Sequence, residues 1–191
     1  GIGLAIARAF AATGHRVAVT YRSEPPSEAA EFGLLAVRCD VTSEASVDTA
    51  FVAVEEQLGP VEILVSNAGV TRDTLVLRMK ESDFTDVVDA NLTGGFRVAK
   101  RAVKGMMKAR FGRIVFISSV AGLGGQAGQA NYAASKAGLT GLARSLAKEF
   151  GSKGVTVNVV PPSFVDTPSL REAEAAGMLG AGVEVHEKST P

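Results

Sequence analysis

Apolar residues along this chain follow two rhythms. Five short runs of β-branched and aliphatic side chains read as buried strands: RVAVTY (16–21), LLAVRC (34–39), VEILVS (61–66), RIVFIS (113–118) and VTVNVV (155–160). Between them, over 4–13, 43–58, 81–110 and 132–152, apolar positions recur every three or four residues, the period of a helix with one buried face. Thr42 or Ser43 is placed to cap the second of these helices. Strands alternating with helices predict an α/β fold, a parallel sheet covered by helices on both faces.

Both ends depart from this rhythm. The chain opens on Gly1-Ile2-Gly3 and enters a helix at once, with no strand in front of it. The tail from Leu170 onward has no strong strand and little core. The expectation is one domain over 1–191 that is incomplete at both ends, a piece of a longer protein or a shortened relative of one. Such a piece, lacking a central strand, should be poorly stable and weakly active alone.

Composition narrows the class. The 191 residues are 46% hydrophobic and 21% charged, ordinary for a soluble globular protein, and no apolar run is long enough to span a membrane. The single cysteine, Cys39, rules out an internal disulfide, fits a cytoplasmic location and reads as a small core residue. The two histidines, His15 and His186, carry no motif, His15 reads as an exposed turn residue, and no metal-ligand spacing occurs.

Net charge is zero, but its distribution is uneven. Residues 1–90 hold fourteen acids against seven bases, and 91–153 hold eleven bases against Glu149 alone. The overall balance gives no reason to expect nucleic-acid binding, while the basic middle could attract an acidic partner. Arg97, Lys100, Arg101, Lys104 and Lys108 fall on one helical face, followed by Arg110 and Arg113. This stripe is a solvated face, a subunit contact or a docking surface.

The chemistry concentrates in SSVAGLGGQAGQANYAASK (118–136). Tyr132 and Lys136 stand one helical turn apart on the same face. A lysine there can stabilise a tyrosinate and lower the tyrosine pKa from about 10, making Tyr132 a candidate general acid. Gly1, Ile2 and Gly3 read as the end of a glycine turn that brings a helix N-terminus to a pyrophosphate, or as a plain tight turn. In a dinucleotide site the next strand ends at the adenosine ribose. Here it ends Thr20-Tyr21-Arg22-Ser23, with no acid before Glu24. Arg22 suits a 2′-phosphate, hence NADP(H), although a solvated loop arginine is the plainer alternative. Asp40 could accept from an adenine amino group while Val41 packs on the ring; Asp40 could equally cap a helix.

VSNAG (65–69), NLTGGF (91–96), the 118–136 stretch and TVNVV (156–160) occur in that order, and together they resemble the short-chain dehydrogenase/reductase family over most of 1–167. GHRVAVTYRS (14–23), TRDTLVLRMKESDF (71–84) and GQANYAASKAGL (128–139) bring the chain closest to bacterial 3-oxoacyl-(acyl-carrier-protein) reductases, the actinobacterial branch in particular. The resemblance implies a Rossmann-like doubly wound sheet, NADPH-dependent reduction of a 3-oxoacyl thioester in fatty-acid synthesis, and a homo-oligomer, usually a tetramer. It assigns Ser119, by its spacing from Tyr132 and in preference to Ser118, to polarising the substrate carbonyl. Asn91 would hold a proton-relay water in a distorted helix, and Lys136 would also hold the nicotinamide ribose. Asn67, Ala68 and Gly69 would line the adenosine half, with Asn67 open to a wholly structural role, and Val165 and Thr167 would meet the carboxamide.

Arg110 and Lys153 match the two basic positions that dock acyl carrier protein in those reductases. Ser163 stands where the family has glycine, and if that glycine needs a positive φ, serine costs about 1 kcal/mol or more and shifts the loop. Two rival readings stay open: a reductase of another ketone (acetoacetyl-CoA, a sugar or a steroid) and a non-catalytic dinucleotide-binding subunit.

Overall fold

A computed structural model describes residues 1–167 and residue 171. Helix α1 (Ile2–Ala12) leads into strand β1 (Ala18–Tyr21), followed by β2 (Leu35–Arg38), α2 (Glu44–Leu58) and β3 (Ile63–Ser66). Helix α3 (Glu81–Val88) runs through a π-helical turn (Asp89–Thr93) into α4 (Gly94–Ala109), then β4 (Gly112–Ile117) and the short α5 (Ala121–Gly124). Helix α6 (Ala130–Phe150) and a 3₁₀ turn (Gly151–Lys153) precede β5 (Val155–Val160).

All five expected strands are present, and every pairing is parallel. They form two sheets among the described residues, β1-β2 and β3-β4-β5. A cavity of about 670 Å³ has β1 on one wall and β3 on another. The larger core packs α2, α4 and α6 on the three-stranded sheet, around the fully buried Ile114 and Phe116 of β4. A smaller core joins α1 to β1 and β2 through Ala7, Leu34, Val19 and Ala36. Cys39 lies in the larger core, and burial raises its thiol pKa. His15 is exposed and meets Phe10 edge-on at 5.4 Å.

The helical segment over 81–110 is α3, a π turn and α4, with Asn91 in the turn, where the resemblance implies a distorted helix. At the second helix it is Ser43 that caps α2, accepting from the Ser46 N–H at 3.2 Å. Asp40 closes its own turn instead, accepting from the Thr42 N–H at 2.9 Å and the Thr42 hydroxyl at 2.7 Å.

The basic stripe of α4 is not bare. Lys100 pairs with Glu44 at 2.8 Å, and Arg101 pairs with Glu55 at 2.6 Å and Asp48 at 3.3 Å, all three acids on α2. Arg97 pairs with Asp89 at 2.8 Å. Acids from the first half of the chain therefore neutralise Lys100 and Arg101 where α2 packs on α4.

Candidate active site

Parallel strands end together, so the loops after β3, β4 and β5 converge at one end of the three-stranded sheet. A cavity of about 290 Å³ opens there, lined by Asn67 and Gly69 after β3, Ser119 after β4, Pro162 and Ser163 after β5, and Tyr132 and Lys136 from α6. Ile2, at the start of α1, lines it as well.

Lys136 is 4% exposed and donates from Nζ to the Ile117 carbonyl at 2.8 Å. Burial lowers its pKa to about 8, because an ammonium is costly to desolvate. The Tyr132 ring centroid lies 5.6 Å from that nitrogen. The expected lowering of the tyrosine pKa does not appear: burial is the largest effect and raises it, while a hydrogen bond with the Ser119 side chain pulls the other way. Tyr132 thus holds its proton at neutral pH, as a general acid must. The two serines divide as alternation along a strand requires. The Ser118 hydroxyl turns inward and donates to the Lys136 carbonyl at 2.8 Å, whereas Ser119 meets Tyr132 and accepts from the Ala121 N–H at 3.2 Å.

Asn91 sits in the π turn, 2% exposed. Its side chain donates to the Val70 carbonyl and to Ser135 Oγ, both at 3.0 Å, and accepts from the Val70 N–H at 2.7 Å. With these bonds the amide ties the break in the helix to the loop after β3 and to α6. Gly69 lets the pieces approach: a Cβ there would lie 3.0 Å from Asn91 Oδ1 and 3.4 Å from Lys136 Nζ.

Two residues that sequence reading passed over complete the frame. Asn131, wholly buried, donates to the carbonyls of Arg72 at 2.9 Å and Asp83 at 3.0 Å and accepts from the Tyr132 N–H at 2.8 Å. The Ser135 hydroxyl donates to the Tyr132 carbonyl at 2.7 Å. Asn131, Ser135, Leu139 and Ala143 form one buried stripe at a spacing of four, so polar residues continuing an apolar face were the available signal.

The cofactor candidates are distributed as follows. Gly1 caps the eleven-residue α1 without any side-chain hydrogen bond, so the first-turn N–H groups lack intrahelical acceptors. Asn67 presses on that turn, since a Cβ on Gly3 would come within 2.6 Å of its Nδ2. Gly1, Gly3 and Ala68 line the larger cavity. Arg22 is exposed just beyond β1, and Asp40 lies near it, its carboxyl held below the usual range mainly by Thr42 and further by Arg22 and Arg38. Val41 is half-buried: it packs against the larger core, lines the larger cavity, and a Cβ on Gly94 would meet its Cγ2 at 2.9 Å.

Val165 and Thr167 do not line the Tyr132 cavity; Pro162 and Ser163 hold that wall. Among the described non-glycine residues only Arg110 has a positive φ, so Ser163 carries none of the expected backbone strain. Arg110 and Lys153 do come together, with an Arg110 guanidinium nitrogen 3.3 Å from the Ser152 carbonyl. They sit where β4 and β5 begin, at the opposite end of the sheet from Tyr132. Most of the tail from Leu170, including His186, lies outside the described residues, and Arg171 pairs with Asp166 at 2.6 Å.

Among the described residues no helix is long and apolar enough to cross a membrane, and no group of three His, Cys, Asp or Glu could hold a metal. The chain matches the short chain dehydrogenase family over residues 1–177. It is 53% identical over 181 residues to the 3-oxoacyl-[acyl-carrier-protein] reductase MabA of Mycobacterium avium, covering 95% of this chain and 69% of that protein. Identity to MabA of Mycobacterium tuberculosis is also 53%, covering 72% of it. The 3-oxoacyl-[acyl-carrier-protein] reductase FabG of Escherichia coli K12 is 45% identical over 186 residues, with 76% of it covered.

Proposed function

Because the chain belongs to the short-chain dehydrogenase family, we propose that it reduces the 3-oxo group of an acyl thioester carried on acyl carrier protein, using NADPH, in fatty-acid synthesis. The observation that carries this reading is the meeting of Ser119, Tyr132 and Lys136 around one cavity. The names of its 45–53% identical relatives supply the substrate class.

The residues suit a dinucleotide. The uncapped first turn of α1 offers N–H groups to a pyrophosphate, and Ile2 joins that turn to the cavity of Tyr132 and Lys136. Arg22 offers its guanidinium to a 2′-phosphate, which selects NADP(H). When bound, the reduced nicotinamide supplies a hydride. The protein does the rest. Ser119 donates to the substrate carbonyl oxygen and polarises it. Tyr132 gives that oxygen its proton as negative charge develops, so that the ketone gains one hydride and one proton and leaves as the 3-hydroxy thioester. Lys136 then faces a phenolate, and its ammonium stabilises that charge and returns a proton. Asn91 holds the loop after β3 and the π turn in register behind the lysine. Asn67, Ala68 and Gly69 border the adenosine half, with Val165 and Thr167 reaching the carboxamide only if residues 161–167 close over it.

Arg110 and Lys153 favour an acidic carrier, but from their end of the sheet a docked carrier would serve the site of another subunit. This reading therefore goes with a homo-oligomer. The test is NADPH oxidation with acetoacetyl thioesters. Tyr132→Phe should lose about 10²-fold or more in kcat, and salt should slow the carrier-linked substrate more than the coenzyme A ester. A fully active Tyr132→Phe would refute the mechanism, and equal salt responses would refute the docking.

A further inference from the structure

We propose that Arg38 is a second guanidinium of the 2′-phosphate site, forming with Arg22 a two-arginine clamp that sets the preference for the phosphorylated dinucleotide. The inference rests on the reading of Arg22 given above. Arg38 ends β2, paired in register with Tyr21 at the end of β1, so it and Arg22 emerge from neighbouring parallel strands at the same end. That end is also where α1 starts, because α1 runs away from it and β1 runs back. Arg38 shares its strand face with Ala36, which packs in the core under α1. Val37 and Cys39 point the other way, into the larger core. The Arg38 side chain therefore lies on the side of the sheet that carries the uncapped first turn of α1.

Two further observations support the clamp. First, Arg38 Nε donates to the Arg22 main-chain carbonyl at 3.2 Å, which ties the Arg38 side chain to the chain at Arg22. Second, among the described residues neither arginine makes an ion pair. Asp40, the carboxylate whose charge both arginines stabilise, directs an oxygen to Thr42. Both guanidinium groups lie within electrostatic reach of one carboxylate, Asp40, and a phosphomonoester dianion accepts from two guanidinium forks at once. On α4 the contrast is plain: Arg97, Lys100 and Arg101 all have acids against them.

The test is isothermal titration of the chain with adenosine 2′,5′-bisphosphate and adenosine 5′-monophosphate, which differ only in the 2′-phosphate. Arg38→Gln should weaken the bisphosphate about tenfold and leave the monophosphate unchanged, the size of one charge-assisted hydrogen-bonded contact. Arg38→Lys, which keeps the charge but loses the fork, should fall between. Unchanged bisphosphate affinity in Arg38→Gln, beside a loss in Arg22→Gln, would overturn the clamp and spare the reading of Arg22. Equal losses for both nucleotides would also overturn it. A parent protein with no preference for the bisphosphate would overturn the NADPH reading itself, and the clamp with it.

Discussion

At the scale of the residue, burial decides what the tyrosine and lysine can do. Both lie one helical turn apart, which in water would let the ammonium favour a phenolate. Inside the fold, desolvation acts on each charged form separately, raising Tyr132 and lowering Lys136 to about 8. The lysine is thus an ammonium at neutral pH and loses its proton well before its ordinary range. If that charge supports proton transfer, kcat/KM should fall as pH rises through about 8, since kcat/KM reports the free enzyme. A flat profile to pH 9.5 or so would contradict it. The stability sign is the reverse of a salt bridge. Between about 8 and the model-compound 10.5 the unfolded chain binds more protons at Lys136 than the folded one, so this group's contribution improves with rising pH. Below that window its burial cost is fully present. Thermal melts of the parent and Lys136→Met should therefore converge, or shift in the parent's favour, as pH climbs through it.

At the scale of the element, the π turn between α3 and α4 organises the site. Apolar periodicity runs across 81–110 without interruption, so the break at Asn91 was legible through the resemblance and not through the pattern. The widening is stabilised from outside, by Asn91 bonding to Val70 after β3 and to Ser135 on α6. No periodicity along 81–110 reports partners that lie 21 and 44 residues away. Asn91→Ala would leave the part-buried Val70 N–H and carbonyl and the buried Ser135 hydroxyl short of a partner. It should destabilise the fold by about 1–3 kcal/mol, read as a lower thermal midpoint, with a loss of activity. An unchanged midpoint would mean that the loop and the turn hold each other without the amide. The strands were read more easily. Short β-branched runs mark themselves locally, and β5 begins and ends where the pattern ended.

At the scale of the whole molecule, the two sheets leave strand edges facing a cavity. Val17 and Tyr21 direct their carbonyls to β2, accepting from Leu35 and Cys39 at 2.9 and 2.8 Å. Residues alternate along a parallel strand, so the N–H groups of Ala18 and Thr20 point away from β2, toward the side of the 670 Å³ cavity. Hydrogen exchange should find those two amides much faster than Val19 and Tyr21, and all of β4 slower still, since Ile114 and Phe116 are wholly buried between paired neighbours. Equal protection across β1 would show that this edge is paired in solution.

Sequence alone settled what depends on near neighbours: the alternation of strands and helices, a cap at Thr42 or Ser43, the Tyr132–Lys136 spacing and the motif order that led to the family. Tertiary structure decided what depends on residues far apart in the chain. It matched Lys100 and Arg101 of α4 to acids on α2, tied the Ser118 hydroxyl to the Lys136 carbonyl, and set Arg110 and Lys153 at the far end of the sheet. It also set Asn131 and Ser135 behind the tyrosine and drew Arg38 beside Arg22. The physical reason is common to all of these. Dihedral preference and periodicity are short-ranged and visible in a string of residues, whereas desolvation, charge pairing and hydrogen-bond satisfaction depend on what the folded chain brings from elsewhere.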